Sequence, residues 1–292
     1  SDVSGNFNFG QRPFNYTPPT GFKALCSANL PNPTILLPNK HFDTLLFTAN
    51  ASTQVVTGLN FQPDLVWGKS RDDAYDHELY DSIRGALKRL KSNATDNELT
   101  HAQNLQSFNS NGFTLGSETN MNYNSGSDIV AWNWKGGGSA SSNGDGSLTS
   151  SVSANTTAGF SIVSWTSTGT TGSTIGHGLG VKPDVIILKS RNTSDVQPWR
   201  VFHKSLGATK SIMLDSDSAA LTQTGVWNDT EPTSSVFTVG SFGSTNENTK
   251  NYIAYCFSEV AGYSKFGKYT GNGNTEGTFL YLGFKPALII IK

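Results

Sequence analysis

Five acidic side chains between positions 72 and 81 come closest to a catalytic set. A glycosidase needs two carboxylates at a set separation, one to donate a proton and one to act as nucleophile or base. The sequence repeats itself with an offset of about 120 residues, and the counterpart of this stretch is 192–203. Of the acidic residues, that counterpart keeps only Asp195. Because charged side chains are mostly exposed, the pattern favours a solvated loop over a catalytic pair. The five are Asp72, Asp73, Asp76, Glu78 and Asp81.

The other side chains capable of chemistry do not stand in the spacings that catalysis or metal binding requires. His177 lies between two glycines, which is typical of a tight strand connection. Asp215-Ser216-Asp217 lacks the glycine and the distal glutamate of a calcium loop, so a surface turn is predicted. Neither a P-loop nor a G-x-S-x-G elbow is found. We therefore expect no enzyme activity, no bound metal and no cofactor. The histidines, which also lack zinc-type spacing, are His41, His77, His101, His177 and His203.

Six tryptophans could support a different chemistry, because aromatic rings stack on sugar faces and are favoured at interfaces. Trp199 and Trp227 stand beside Pro198 and Asn228, in sequence typical of loops, and are the candidates for exposed contact. No individual ligand-binding residue is assigned. The remaining tryptophans lie in strand-like runs and are predicted to pack in cores: Trp67, Trp132, Trp134 and Trp165.

Composition narrows the class of protein. A net charge of -1 lacks the basic footprint that nucleic-acid binding leaves, so no nucleic-acid partner is expected. No apolar run approaches the roughly 18 residues of a membrane span, so no membrane insertion is expected either. Ser, Thr, Asn and 30 Gly favour turns and strands over helices. Two cysteines are too few for a scaffold that depends on disulfide bonds. Cys26 and Cys256 are therefore predicted to be free and buried.

A repeat organises the chain. The segment 63–71 reappears at 183–191, and a third copy begins at Pro286. Other matching residues occur in the same order in both copies, at offsets between 120 and 124 residues. The stretch 75–91 alone could be a helix, but its counterpart, 200–214, has the pattern of two short strands, so two strands are predicted in both copies. Short apolar runs bounded by turn residues indicate an all-β protein of tandem β-sandwich or jelly-roll-like modules.

The repeat also predicts the boundaries of the modules. We place a connector and the end of an upstream domain at 1–38, module 1 at 39–138, a Ser/Gly/Asn-rich linker at 139–158, module 2 at 159–262 and the start of a truncated module 3 at 263–292. In module 3, two strands are expected at 264–270 and 279–291, joined by a turn at 271–274. Because 287–291 is apolar on both faces, we expect a continuing chain or a neighbouring subunit to cover it.

Two parts of the sequence resemble known phage proteins. The segments 7–14 and 16–22 resemble the closing part of SPRY-like, concanavalin-type sandwiches in structural proteins of marine and cyanobacterial phages. The repeat is similar to tandem modules of the same large virion proteins, through residues 159–163, 176–180, 205–210 and 262–267. This resemblance implies a tail-fibre, spike or capsid-appendage protein, and it brings no catalytic residues with it.

The sequence thus predicts a bacteriophage virion structural protein that presents β modules for host attachment, with a surface polysaccharide as ligand. Its expected partners are other virion subunits, including further copies of itself, and its expected location is the virion. One alternative is a passive spacer or capsid-surface fibre without a ligand. Another is the non-catalytic part of a polysaccharide depolymerase.

Overall fold

A computed structural model describes Thr20 and residues 33–292 of the chain. The segments resembling a SPRY-like domain and Cys26 lie outside the described residues. The described part contains nineteen strands, two α-helices of four residues each and a 3-10 helix at Pro38–Lys40, which confirms the predicted all-β class. Cys256 is free and buried, as predicted, and burial raises the pKa of its thiol to about 12.

Two sheets form the first sandwich. A six-stranded antiparallel sheet has the order β1-β9-β3-β4-β5-β6, and a three-stranded sheet has the order β2-β8-β7. Between them lies a core that includes Val66, Tyr80 and Phe113. The strands are β1 (Phe42–Thr48), β2 (Gln54–Thr57), β3 (Leu65–Ser70), β4 (Glu78–Asp81), β5 (Lys88–Lys91), β6 (Leu99–Thr100), β7 (Leu105–Asn109), β8 (Gly112–Leu115) and β9 (Asp128–Trp134).

The second sandwich repeats this plan. Its large sheet has the order β10-β11-β12-β19-β14-β15-β16-β17, and β13 pairs with β18 in the facing layer. From β12 onward the order matches that of the first large sheet strand for strand. The elements are β10 (Ser141–Asn143), β11 (Ser150–Asn155), β12 (Phe160–Thr166), β13 (Ser173–Gly176), β14 (Val185–Ser190), β15 (Arg200–His203), β16 (Lys210–Met213), β17 (Leu221–Thr222), α1 (Thr224–Trp227), β18 (Val236–Val239), α2 (Gly243–Asn246) and β19 (Asn251–Phe257).

The Pro-Asp pairs that open β3 and β14 show why the repeated residues recur. Asp64 Oδ2 accepts the backbone N–H of Gly136 at 2.8 Å, and Asp184 Oδ2 accepts that of Glu259 at 2.6 Å. Each aspartate thus connects the start of a central strand, β3 or β14, to the residues that follow the adjacent strand, β9 or β19. The proline before each aspartate lacks a backbone N–H, but at the start of a strand this costs the sheet no hydrogen bond. Equivalent residues therefore make equivalent contacts in both sandwiches.

The region 75–91 forms a hairpin of β4 and β5 rather than a helix, which confirms the two-strand prediction. Its tight turn contains Gly85 at a φ of +91°, and the turn between β15 and β16 contains Gly207 at +75°. Glycine adopts these left-handed conformations without steric cost. The glycines therefore let both chains reverse within a few residues.

The two large sheets pack face to face, so the molecule has four layers. Alternate residues along each central strand point to opposite faces. One set fills the core of its own sandwich, and the other set meets the second large sheet in what we call the inter-sheet core. That core includes Leu65, Leu79, Leu90, Trp134, Phe160, Ile162, Trp199, Ile253 and Tyr255.

A buried polar cluster lies at the inter-sheet core and joins the sandwiches. The guanidinium of Arg84 binds Asp81, donates to Glu98 at 3.2 Å and has no exposed surface on its side chain. Arg191 of the second sandwich binds Glu98 through two nitrogens, each at 2.9 Å. The hydroxyl of Tyr255 donates to Asp81 at 2.8 Å. Because each buried charge has a partner of opposite sign, the cluster avoids the penalty of an unpaired buried ion.

Lys189 is a further buried charge between the sandwiches. Its Nζ donates to the carbonyl oxygens of Thr95, at 2.7 Å, and of Gln197. Burial lowers the pKa of Lys189 to about 8, although Asp215 and Asp96 oppose this shift. The protonated amine is therefore less stable in the folded chain than in the unfolded chain, where lysine titrates near its ordinary pKa of about 10.4.

We expect the stability of the protein to rise with pH between 8 and 10 because of Lys189. In this window the unfolded chain binds more protons than the folded chain, so the free energy of unfolding increases with pH. The difference between a folded-state pKa of about 8 and the ordinary pKa of about 10.4 corresponds to about 3 kcal/mol. About 2 kcal/mol of this is gained between pH 8 and 10, and Lys189→Met is expected to lack that gain. Urea unfolding of both proteins across this range measures it, and the difference cancels the titration of all other groups. Parallel stability curves would contradict this assignment.

Two segments differ from the sequence predictions. The expected linker at 139–158 contains β10 and β11, and β11 pairs with β12 over six residues. Val152 packs in the core of the second sandwich, so this segment extends the large sheet. In contrast, the two strands expected at 264–270 and 279–291 are not formed, and Phe279 is 85% exposed. A lone strand pair is marginal because no second layer covers its apolar face.

Candidate binding site at the loop end of the first sandwich

Two loops of the first sandwich meet at one end of its large sheet. The first, 71–77, connects β3 to β4, and the second, 116–127, connects β8 to β9. Since β3 and β9 are antiparallel neighbours, the end of β3 lies beside the start of β9. The sheet therefore brings both loops together, although they lie about 50 residues apart in sequence.

An aromatic pair stands at this meeting point. The rings of Tyr75 and Tyr123 are edge to face, with centroids 6.1 Å apart and an interplanar angle of 88°. Tyr123 is 55% exposed, whereas Tyr75 is half-buried beneath it. Such a pair offers an apolar ring face and a hydroxyl group to a ligand with both kinds of surface. We call these two rings, together with the carboxylates at the same end of the sheet, the tyrosine site; the carboxylates are Asp72, Asp73, Asp76 and Asp128.

Hydrogen bonds to Asp73 hold the two loops in place. Its carboxylate accepts from the hydroxyl of Ser127 at 2.5 Å and from the side-chain amide of Asn124 at 3.2 Å. The bond from Ser127 is the main reason that the pKa of Asp73 is lowered. Beneath the loop, Lys69 Nζ donates to the carbonyl oxygens of Ser70 and Asp73, both at 2.6 Å. Asn124, which follows Tyr123, is thus hydrogen-bonded to Asp73, which lies two residues before Tyr75.

Two further contacts connect the loop 71–77 to the start of β9 at the edge of the site. Asp72 Oδ2 accepts the backbone N–H of Asp128 at 2.6 Å. The guanidinium of Arg71 lies 3.8 Å from the carboxylate of Asp128, and both side chains are about half exposed. The aromatic pair is therefore held on loops whose backbones are fixed before any ligand arrives. Such preorganisation lowers the entropic cost of binding.

The acidic stretch at 72–81 is only partly the solvated loop that the sequence favoured. Asp72 is exposed, and Asp73 and Asp76 are partly exposed, but Glu78 and Asp81 are fully buried. Glu78 accepts from Arg89 at 2.7 Å and from Tyr80 at 2.9 Å. These last two carboxylates lie on β4, between sheet layers, where ion pairs and hydroxyl groups replace water.

The tryptophans predicted to be exposed are buried. Trp199 and Trp227 expose 0% and 1% of their surfaces. Trp199 packs in the inter-sheet core, and Trp227 ends α1 and fills the core of the second sandwich. Their sequences are loop-like, but the loops fold back under neighbouring layers. The four tryptophans predicted to pack in cores do so.

The sequence did not predict the tyrosine site, because neither tyrosine lies in a distinctive motif. One signal was available: Tyr123 is the lone aromatic residue among Asn, Ser and Gly at 122–127. The corresponding loop end of the second sandwich presents Phe242 instead, with the guanidinium of Arg200 5.9 Å from its ring centroid. The tyrosine pair therefore distinguishes the first sandwich from the second.

Other candidate residues do not come together. His177 is buried just after β13, and its Nδ1 accepts the backbone N–H of Leu179 at 3.2 Å, as suits a tight connection. Burial lowers its pKa. Asp215 follows β16 in a turn, as predicted, and accepts the backbone N–H of Trp199 at 3.1 Å. Among residues 33–292, the His, Cys, Asp and Glu side chains do not form a group of three or more suited to a metal ion.

The fold and the site define an all-β protein of two stacked sandwiches with a preorganised aromatic contact at one loop end. The chain belongs to the family described as a domain of unknown function, DUF7483, whose sequence pattern matches residues 37–292. No curated protein and no solved structure matches the chain. In the described part of the chain, no helix has the length and apolar character needed to cross a membrane.

Proposed function

We propose that this chain is a non-catalytic part of a bacteriophage virion appendage that attaches to a host-surface glycan through the tyrosine site. The observation that carries the proposal is the exposed ring of Tyr123, held against Tyr75 by a hydrogen-bonded loop pair. Rigid aromatic side chains provide binding area at a low entropic cost. The virion location and the assembly with other virion subunits, further copies of this chain included, rest on the resemblance of the repeat to phage modules.

The scaffold suits a role under mechanical load. Four layers are joined through an apolar inter-sheet core, and the buried charges of Arg84 and Asp81 are paired within it. Such an assembly holds a loop end in a fixed orientation. Sites on rigid elements bind with better-defined geometry than sites on mobile segments.

A glycan array of bacterial surface polysaccharides tests the proposal. We expect the purified chain to bind a subset of the array and Tyr123→Ala to weaken that binding at least tenfold, since buried aromatic contacts dominate many interfaces. Tyr281→Ala is the matched control, because it removes another exposed tyrosine, outside the site. Absence of binding across the array would support the passive spacer instead. Release of oligosaccharides from a bound polysaccharide would overturn the non-catalytic assignment.

A further inference from the structure

We infer that the tyrosine site selects neutral glycans and discriminates against sugars that carry a carboxylate, sulfate or phosphate. This inference rests on the proposed function and adds the chemical class of its ligand. The charges around the aromatic pair are mostly negative, and the cations among them already have partners within the protein.

Carboxylates dominate the rim of the site. Asp72 is exposed and uses one oxygen, Oδ2, to accept the backbone N–H of Asp128. Asp128 is itself exposed at the start of β9. Asp73 remains ionised at neutral pH, because the hydrogen bond from Ser127 lowers its pKa. A hydrogen bond from Lys91 likewise lowers the pKa of Asp76. The loop 71–77 and the start of β9 therefore hold four negative charges.

The cations near the site are occupied. Lys69 directs its ammonium group to two backbone carbonyl oxygens beneath the loop, each at 2.6 Å. Arg71 lies 3.8 Å from Asp128. Lys91 lies 2.9 Å from the carboxylate of Asp76 and 2.9 Å from that of Asp96. With Asp96 included, five carboxylates and three cations leave this end of the sandwich negative, so an anionic sugar would meet repulsion that falls as salt increases.

Neutral sugars fit the same groups. A carboxylate oxygen that faces solvent accepts sugar hydroxyl groups in charge-assisted hydrogen bonds, which are stronger than neutral ones. The Tyr123 ring supplies an apolar face for the C–H side of a pyranose ring. An uncharged glycan can use both features without bringing a like charge to the rim.

Matched pairs of oligosaccharides test the inference. The probes are glucose, galactose and mannose oligomers and their counterparts oxidised to the carboxylate at C6, measured at low and high salt. We expect the neutral member of each bound pair to bind about tenfold more tightly at low salt, with the ratio shrinking as salt increases. Asp72→Asn, which keeps an oxygen to accept the Asp128 N–H, is expected to reduce the ratio about threefold. Tyr123→Ala is expected to weaken both members.

The outcomes separate the two proposals. Equal or tighter binding of the oxidised probes, still lost in Tyr123→Ala, would refute the neutral-glycan inference and leave glycan attachment standing. An unchanged ratio in Asp72→Asn would refute the role of the rim carboxylates. Binding of no probe, together with an array without hits, would refute the proposed function itself.

Discussion

Replacing Arg84 with methionine is expected to lower the free energy of unfolding by about 3–5 kcal/mol, the cost of breaking a buried ion pair by removing one partner. The substitution leaves the carboxylate of Asp81 fully buried without a cationic partner, and only the Tyr255 hydroxyl and the backbone N–H of residue 84 still donate to it. It also removes the donor that Arg84 supplies to the carbonyl oxygen of Leu79 at 2.9 Å. Urea denaturation measures the loss.

Two further variants identify its cause. Arg71→Met removes an ion pair whose side chains are both about half exposed, and such pairs contribute about 0–1 kcal/mol. The double variant Asp81→Asn with Arg84→Met is expected to recover part of the stability, because it removes the unpaired charge as well. If Arg84→Met cost no more than Arg71→Met, the inter-sheet polar cluster would not stabilise the stacked sandwiches.

Truncating Trp199 to alanine is expected to destabilise the protein by about 3–5 kcal/mol, the usual cost of deleting a large buried aromatic side chain. The ring stacks on Tyr255, with centroids 6.4 Å apart, and its Nε1 donates to the carbonyl oxygen of Lys91 at 2.7 Å. The substitution thus opens a cavity between the large sheets and removes a hydrogen bond that joins them. Thermal or urea unfolding measures the effect.

Tyr123→Ala is the natural comparison, since it also removes an aromatic ring. Because Tyr123 is 55% exposed, its loss is expected to change stability by no more than about 0.5 kcal/mol. Trp199→Phe keeps most of the volume and removes the N–H donor, so an intermediate loss is expected. A tolerated Trp199→Ala would mean that the large sheets do not depend on this contact.

Much of the local structure could be predicted from the sequence. The recurrence of Pro-Asp before β3 and β14 indicated equivalent strands, and the two sheets share one strand order. Gly85 and Gly207 marked the same turn. These features depend on backbone conformation and on the alternation of residues along single strands. Both are local properties, and the repeat shows each of them in two copies.

Burial between layers could not be predicted in this way. Asp81 is paired within the cluster that includes Tyr255, 174 residues further along the chain, and Trp199 is covered by the first sandwich. Whether a polar or loop-like residue is exposed depends on which layer packs against it, and the repeat pattern holds no information on how its copies stack. The face-to-face packing of the large sheets decided both cases.

The tyrosine site shows the same division. The all-β class, the duplication, the low charge and the turns of Asn, Ser and Gly at the ends of the strands could all be read from the residues alone. Which aromatic side chains face solvent depends on how the layers pack: Tyr123 does, and Trp199 and Trp227 do not. The physical reason is that strand pairing brings distant loops together at a sheet end, while stacking of the layers removes other loops from water.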